Sequence, residues 1–320
     1  MDGSQPSQQS DRDNLGFVAH LSHSPSPQDA PLVSVILTSY NYQHYVGEAI
    51  TSVLDQTYIH LELIIVDDGS TDDSRPVIER ATEGAKIPVR TIYKPNGGQA
   101  SALNAGYQYV SGQIVCLLDS DDIWYKHKLE AMVAFMQLCP GGGVYQHQLD
   151  TADGPKKDFL LSADLRRHWM SMGTVNVAHV AVDHFVPTSG LAFRREVLDR
   201  VFPIPEALKT CPDGFLTRVS CMYGHVLSLP VPLGIWRDHA RNAGKRDEFG
   251  MHEFWVPVLM PALNQYYEAH NIPIQLVCLP RPKVPLWSIM QAAKEFAAAV
   301  LRALLPTRTY RRLRDCVHRS

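Results

Sequence analysis

Three carboxylates stand close together in the middle of the chain. Asp119, Asp121 and Asp122 follow directly after the mostly apolar run at residues 112–118, which has the character of a buried strand. The carboxyl end of a parallel strand opens into the crevice where doubly wound sheets bind ligands, and carboxylates clustered there repel one another unless a cation lies between them. The group therefore indicates a site for a divalent cation and an anionic ligand. The alternative is an acidic helix start, in which these side chains cap a helix over residues 123–135.

Two earlier apolar runs end in polar side chains in the same way. Asp67 and Asp68 follow the run at residues 61–66, and Asn96 follows the run at residues 89–93. In this part of the chain, strand-like runs alternate with helical spacing, which is typical of a parallel, right-handed, doubly wound sheet. All parallel strands direct their carboxyl ends to the same edge of such a sheet. We therefore expect convergence of five side chains, namely Asp67, Asp68, Asn96, Asp119 and Asp121.

The composition restricts the class of protein. The chain has 320 residues, of which 45% are hydrophobic and 20% are charged, so it can bury one large core and is expected to form one main domain. A formal net charge of -3 argues against a nucleic-acid partner. The six cysteines include no Cys-x-x-Cys pair, which favours a reducing, cytoplasmic setting.

The two ends of the chain differ from its middle. Residues 1–30 are rich in Ser, Gln, Pro and Asp, so we expect a disordered tail without a secretion signal. Residues 246–320 are expected to form a C-terminal helical extension, with a helix over residues 285–305 that has a broad apolar face. The residues that follow this helix include Arg308, Arg311, Arg312 and Arg314. The face therefore predicts either peripheral docking on an anionic membrane or packing against protein.

Four motifs, in this order, resemble the inverting nucleotide-sugar glycosyltransferases of family two, whose fold is called GT-A. They are VILTSYN at residues 35–41, VDDGSTD at 66–72, the pair Asn96-x-Gly98 and Asn104-x-Gly106, and DSDD at 119–122. The resemblance implies an α/β, GT-A type doubly wound, mostly parallel sheet with helices on both faces. It implies a glycosyltransferase domain over residues 31–245, with a nucleotide-binding half at 31–124 and an acceptor half at 125–245.

The resemblance also implies roles in donor binding. Asp68 would contact the nucleoside base, and a carboxylate can accept a hydrogen bond from a uracil or thymine N–H, which points to UDP or dTDP. The backbone of Gly97 and Gly98 is expected near phosphate. An ordinary turn with helix capping is the competing interpretation of Asp67 and Asp68. The implied nucleotide-binding residues are Thr38, Tyr40, Asp68, Asn96, Gly98, Asn104 and Asp119.

A metal site is implied by the same resemblance. Asp121 and Asp119 would bind Mg²⁺ or Mn²⁺, whose preference for hard oxygen ligands they satisfy, and the ion would neutralise the departing nucleoside diphosphate. The segment at residues 236–242 resembles an Arg-x-His-x-x-Asn element of the family. It would bring His239 to the metal and Arg237 to phosphate.

The acceptor side is implied by two further segments. Thr188, Ser189 and Gly190 lie in a stretch similar to the strand that lines the acceptor pocket, although a plain core strand is an equal alternative. Asp213 falls where the family has its catalytic base at a helix start, with Pro212 in place of the usual second acid. It would remove the acceptor proton in a single inverting displacement. A simple helix cap is the competing role for Asp213.

Together these features predict transfer of one sugar from a nucleoside diphosphate sugar to a glycan or lipid-linked acceptor, in polysaccharide or glycoconjugate biosynthesis. The Gln-x-x-Arg-Trp motif of processive synthases is missing. The expected location is cytoplasmic, or peripheral at the inner face of the membrane. A non-catalytic nucleotide-sugar-binding protein remains an alternative. A dinucleotide-binding oxidoreductase is less favoured, because residues 38–41 after the first strand contain no glycine.

Overall fold

The structure, a computed structural model, describes residues 30–151, 154–155, 174–176, 185–239 and 251–277. Apart from residue 30, the expected N-terminal tail lies outside the described residues. So does the helix expected over residues 285–305, together with the arginines that follow it.

Strands and helices alternate through the first part of the described chain. Strands β1 to β4 are Val33–Ser39, Leu61–Asp67, Val89–Tyr93 and Ile114–Asp119. The helices between them, α1 to α3, are Val46–Leu54, Ser74–Thr82 and Gln99–Tyr107. Strand β1 pairs in parallel with both β2 and β4, and β2 pairs in parallel with β3. The predicted doubly wound, mostly parallel sheet is confirmed.

Helices cover both faces of this sheet because side chains alternate along each strand. On one face, Ile36 of β1 belongs to a buried cluster that includes Leu103 of α3. On the other face, Leu37 belongs to a second cluster that includes Ile50 of α1. Thr38 lies opposite Asp119 in the parallel register of β1 and β4, so these two polar residues end the same row of the sheet.

The second part of the described chain widens the sheet with strands of both directions. It contains β5 Ile123–Trp124, α4 Lys128–Leu138, β6 Gly142–Thr151, β7 Gly154–Pro155, β8 Thr174–Asn176, β9 Leu191–Arg194, α5 Arg195–Leu198, α6 Asp213–Ser220, β10 His225–Ile235, α7 Met260–Ala269 and β11 Gln275–Val277. The strand order is β3-β2-β1-β4-β9-β6-β10-β5, with β9 antiparallel to both of its neighbours. Strands β6 and β10 pair in parallel, whereas β10 and β5 form an antiparallel pair. β11 pairs with β8 in a separate two-stranded sheet. The short β9 therefore joins the nucleotide half to the acceptor half.

The alternative that the acidic residues cap a helix over residues 123–135 is wrong. Ile123–Trp124 forms β5, in which Trp124 lies opposite Gly234 of β10, and helix α4 begins only at Lys128. Pairing with a distant strand holds these two residues in extended backbone. The carboxylates of Asp119, Asp121 and Asp122 therefore lie at the end of β4, ahead of the first turn of α4.

Helix α7, which lies within the C-terminal extension expected from residue 246, packs on the central core. A π-helical segment, Met251–Leu259, leads into α7, whose buried residues Leu263 and Tyr267 belong to the same core cluster as Ile36. The unit that contains all described residues reaches residue 278, because this apolar helix face packs on the central core. Within the described part of the chain, no helix has the length and apolar character needed to cross a membrane.

Candidate active site

The acidic cluster forms where β4 ends. A turn follows Asp119 at once, closed by a hydrogen bond from the Asp122 backbone N–H to the Asp119 carbonyl (3.1 Å). The turn brings Asp121 and Asp122 back beside Asp119, and ligand oxygens of the three side chains lie within 4.8 Å of one another. Asp121 and Asp122 are buried. Buried carboxylates at this spacing are a set of hard oxygen donors that fits Mg²⁺ or Mn²⁺.

The electrostatics of the cluster favour a bound cation. Burial raises the pKa of Asp119 well above its usual value, and the charges of Asp121, Asp122 and Asp213 raise it further. Burial, followed by the charge of Asp121, also raises the pKa of Asp122 to about 7. Ionising all of these groups together is therefore costly without a counter-charge, and a divalent cation would supply that charge.

Ser189 bridges two members of the cluster. Its hydroxyl donates to the Asp122 carboxylate (2.5 Å) and accepts from the Asp119 backbone N–H (3.1 Å). Thr188 also forms a hydrogen bond with the Asp119 side chain. A Cβ on Gly190 would approach the His147 carbonyl to 3.0 Å and a Val186 methyl to 2.6 Å. The family resemblance implied acceptor binding for the turn Thr188–Gly190. In the structure this turn contacts Asp119 and Asp122 directly.

His239 and Arg237 approach the cluster from the segment after β10. The His239 Nε2 lies 3.0 Å from an Asp121 carboxylate oxygen, and its ring stacks on Tyr45 with centroids 4.9 Å apart. The Arg237 backbone N–H donates to Asp122 (3.0 Å), while its guanidinium bonds the Asp121 carbonyl and pairs with Glu48. A phosphate contact by Arg237 would therefore replace its contact with Glu48.

Asp68 is enclosed by the turn that leads into α3. Its carboxylate accepts from the Lys94 Nζ (2.5 Å), the Gly97 N–H (3.1 Å) and the Gly98 N–H (2.7 Å). Gly98 has a φ of 89°, a conformation that favours glycine. In this structure the Gly97 and Gly98 N–H groups, which sequence placed at a phosphate, bind a carboxylate of the protein. Asn96 supports the same turn by donating to the Asp68 carbonyl (3.0 Å).

Asp67 is the exception to the expected convergence. Its carboxylate accepts from the Arg75 Nε (3.0 Å) and from the Ser70 backbone N–H (3.1 Å). Neighbouring residues of a strand face opposite ways, so Asp67 is bound by the start of α2 while Asp68 faces the α3 turn. Tyr40 lies directly beyond the end of β1 and is 45% exposed.

Two residues of α3 have contacts that sequence did not predict. The Gln99 side chain donates to the Asp119 carboxylate (2.7 Å), which brings a residue without an assigned role into the site. Asn104 is expected to bind nucleotide, but its side-chain amide forms two hydrogen bonds with the backbone of Ile204. It donates to the Ile204 carbonyl (2.8 Å) and accepts from the Ile204 N–H (2.7 Å). Gln99 follows the Asn96-x-Gly98 motif directly, and this position was the feature of the sequence that could have indicated its contact with Asp119.

Asp213 is the first residue of α6, and Pro212 occupies the capping position before it. Its charge is one of those that raise the pKa of Asp119, so the structure brings it to the acidic cluster. The loop before it is fixed to α3, because the Gln99 backbone N–H donates to the Lys209 carbonyl (2.9 Å). A carboxylate close to a candidate cation site is an arrangement suited to general-base chemistry.

Comparison with known proteins agrees with this geometry. Residues 34–202 match the model of the family described as Glycosyl transferase family 2. An uncharacterized glycosyltransferase of Nostoc sp. is 40% identical over 219 residues, which are 66% of this chain and 66% of that protein. WfgD of Escherichia coli, named as a UDP-Glc:alpha-D-GlcNAc-diphosphoundecaprenol beta-1,3-glucosyltransferase, is 41% identical over 109 residues, or 34% of this chain and 42% of that protein. The chain thus spans less than two thirds of these relatives.

Two solved structures share the fold. TarS residues 1–349 of S. aureus, in complex with UDP-GlcNAc, superposes with a TM-score of 0.53 at 21% identity, covering 75% of this chain and 65% of that one. The mannosyltransferase PcManGT of Pyrobaculum calidifontis, in complex with GDP-Man and Mn²⁺, gives a TM-score of 0.53 at 17% identity, covering 97% and 88%. At these identities the likeness concerns the fold alone.

Proposed function

The chain belongs to glycosyl transferase family 2, and from this premise we propose that it is a metal-dependent, inverting glycosyltransferase. It transfers one sugar from a nucleoside diphosphate sugar, with UDP or dTDP as the nucleotide, to a glycan or lipid-linked acceptor in polysaccharide or glycoconjugate biosynthesis. The observation that carries the proposal is the cluster of Asp119, Asp121 and Asp122, whose ligand oxygens lie within 4.8 Å of one another, with Asp213 close enough to affect Asp119.

Asp119 and Asp121 are the proposed ligands of Mg²⁺ or Mn²⁺, and His239 lies beside Asp121. The ion supplies a charge that stabilises the diphosphate as it leaves. The complex of PcManGT with GDP-Man and Mn²⁺ supports a divalent ion in this fold. Arg237 is positioned to exchange Glu48 for a phosphate oxygen, since the Glu48 side chain is 65% exposed and the Arg237 side chain only 17%.

Donor binding is proposed at the edge formed by Thr38, Tyr40, Asn96 and the α3 turn. Three donors, from Lys94, Gly97 and Gly98, share the two oxygens of Asp68, and a carboxylate offers about four acceptor positions. A pyrimidine N–H that binds Asp68 would therefore compete with these donors for the same two oxygens. The complex of TarS with UDP-GlcNAc supports a uridine nucleotide as the first candidate.

Asp213 is the proposed general base. Its carboxylate would take the proton from the acceptor hydroxyl as that oxygen attacks the anomeric carbon from the face opposite the diphosphate. Thr188, Ser189 and Gly190 are the proposed contacts for the acceptor. The name of WfgD specifies a diphosphoundecaprenol acceptor, which supports a lipid-linked acceptor as the first class to test.

Thermal stabilisation by nucleotides tests the donor class. The purified protein is heated with UDP, dTDP, GDP or NAD, each with Mn²⁺ and with EDTA, because a ligand that binds the folded state raises its apparent stability. We expect stabilisation by UDP or dTDP that requires Mn²⁺. Stabilisation by NAD alone, or by none of the nucleotides, would contradict the proposal. Stabilisation without any turnover of a nucleotide sugar would identify a non-catalytic binding protein.

A further inference from the structure

A fully buried lysine lies behind the acidic cluster. Lys128, the first residue of α4, has a relative exposure of 0%, and its Nζ makes no hydrogen bond to a described nitrogen or oxygen atom. The Nζ lies 3.2 Å from the centroid of the Trp124 ring. The Cys116 thiol is a polar group beside it, and burial, followed by the charge of Lys128, lowers the pKa of the His147 ring. Burial lowers the pKa of Lys128 to about 8, so the ammonium form predominates at neutral pH.

Such a charge is costly for folding. An ammonium group without an anionic partner loses its hydration on burial, and an apolar side chain of the same length would avoid that loss. The neighbouring Leu129 and Met132 of α4 are buried and apolar, as expected for the interior face of this helix. The interactions that offset this cost at Lys128 are those with the Cys116 thiol and with the Trp124 ring, and cation–π attraction is strongest where water is excluded.

Trp124 connects this lysine to the carboxylates. Its indole Nε1–H donates to the Ser189 carbonyl (2.8 Å), and its backbone N–H donates to the Ser52 hydroxyl (3.2 Å). Ser189 in turn bridges the Asp119 backbone and the Asp122 carboxylate. The two hydrogen bonds of Trp124 fix the orientation of its ring beside Ser189. The ammonium group of Lys128 lies against the face of that ring.

We propose that Lys128 is a positioning residue for the metal site, whose ammonium holds the Trp124 ring so that the indole fixes Ser189 and, through it, Asp119 and Asp122. The inference rests on the proposed function, since the carboxylates are the proposed cation site. Lys128 lies in the protein interior, so it would affect ligand binding through Trp124 and Ser189 and not by contacting the ligand itself.

Two variants and their combination test the coupling. Lys128→Met keeps a long, unbranched side chain and removes its charge, and Trp124→Phe removes the indole N–H. Met136→Leu, a buried change in the same helix, is the control for core perturbation. The first measurement is hydrogen exchange of the Trp124 indole N–H, identified in the ¹⁵N spectrum by its loss in Trp124→Phe. We expect Lys128→Met to speed this exchange about tenfold and Met136→Leu to leave it unchanged.

The second measurement is the affinity for UDP in the presence of Mn²⁺. We expect Lys128→Met and Trp124→Phe each to weaken it about tenfold, the range seen when support for metal ligands is removed. The double variant should bind no more weakly than Trp124→Phe alone, because both changes act through one path. The free energy of unfolding of Lys128→Met should equal or exceed that of the unchanged protein, which separates positioning from a general loss of structure.

Three results would overturn the inference. They are unchanged indole exchange in Lys128→Met, faster exchange with unchanged UDP affinity, and losses of affinity that simply add in the double variant. Absence of any Mn²⁺-dependent UDP binding by the unchanged protein would instead contradict the proposed function. The indole exchange would then still decide whether Lys128 holds Trp124.

Discussion

At the scale of single residues, the acidic cluster concentrates charge where water is scarce. Asp121 and Asp122 are buried, and the pKa values of Asp119 and Asp122 are raised by burial and by their acidic neighbours. Ser189 and Arg237 lower the pKa of Asp122 in part but do not cancel the effect. The cluster is therefore suited to take up a cation rather than to stabilise the protein without one.

Asp121→Asn should weaken Mn²⁺-dependent UDP binding. The substitution keeps the size of the side chain but removes a charged ligand, and we expect a loss of about ten- to a hundredfold in affinity. Titration calorimetry measures it. Asp55→Asn, at an exposed position of the chain, is the control that should bind normally. Equal affinity in Asp121→Asn and the control would remove Asp121 from the metal site.

The stability of the metal-free protein should fall as pH rises between about 4 and 7. The pKa of Asp122 is raised from 3.8 to about 7 in the folded state, so in this window the unfolded chain has lost a proton that the folded protein keeps. The favourable contribution of the protonated carboxyl is complete below the unfolded pKa and is lost above the folded one.

Urea unfolding at pH 5 and pH 7 in EDTA checks this dependence. Asp122→Asn, which does not titrate, should reduce the difference in the free energy of unfolding between the two pH values. An equal difference in both proteins would show that Asp122 does not hold its proton in the folded state. Saturating Mn²⁺ should also reduce the difference, since the ion favours the ionised carboxylates.

At the scale of elements, α3 has two tasks. Its N-terminal turn binds Asp68 and Asp119, while Asn104 and the Gln99 backbone hold the loop that leads to Asp213. The helix thus relates the nucleotide side of the site to the position of the proposed base. We therefore expect changes in this short helix to affect both donor binding and turnover.

Asn104→Leu should lower turnover more than donor affinity. The change removes both hydrogen bonds to Ile204, which is expected to cost about 1–3 kcal/mol of unfolding free energy, and it loosens the loop before Asp213. Asn264→Leu is a matched control, because the Asn264 amide makes the same pair of bonds to the Leu276 backbone in another part of the core. Both stability and UDP affinity are measured beside turnover.

The two variants should lose similar stability, and only Asn104→Leu should lose turnover with UDP affinity retained. Loss of UDP affinity in Asn104→Leu alone would favour the nucleotide contact that the family resemblance implied. Equal effects of both variants on turnover would mean that Asn104 acts only through stability.

Much of this arrangement could be predicted from local pattern. Strand β3 has the bounds that were predicted from the sequence, residues 89–93. The ends of β1, β2 and β4 differ from the predicted ends by a few residues at most, because buried parallel strands are continuous apolar runs. β5 could not be predicted, since Trp124 is extended only through pairing with Gly234 far along the chain. The hydrogen-bond partners of Asp68 and Asn104 could not be predicted either, because several polar groups could bind the same side chain and only the tertiary structure determines which of them lies near it.

At the scale of the whole molecule, one sheet carries both halves of the site. β4 provides Asp119, the antiparallel β9 follows the turn that contains Ser189, and β10 leads to Arg237 and His239. Three separated stretches of the chain therefore meet at one edge. Assembly of the proposed site thus depends on completion of the sheet, and donor and metal binding are expected to stabilise the folded protein as a unit.

Binding to anionic vesicles should depend on the arginines near the C-terminus. In the full chain, Arg308, Arg311, Arg312 and Arg314 are changed together to Gln, which removes positive charge expected to attract an anionic surface by about 1 kcal/mol for each residue. Co-sedimentation with vesicles of phosphatidylglycerol measures the effect, and neutral phosphatidylcholine vesicles are the control. Equal sedimentation of both proteins would favour packing of the C-terminal helix against protein.

The anomeric configuration of sugar released from a UDP-sugar tests the metal, the base and the stereochemistry together. Water can replace the unidentified acceptor, and NMR spectra recorded at once identify the first anomer of the sugar. We expect α-linked UDP-glucose or UDP-N-acetylglucosamine to yield the β-anomer, only with Mn²⁺ or Mg²⁺, and Asp213→Asn to bind UDP without this release. Release of the α-anomer, release in EDTA, or no release by the unchanged protein from any UDP- or dTDP-sugar would contradict a metal-dependent inverting transferase.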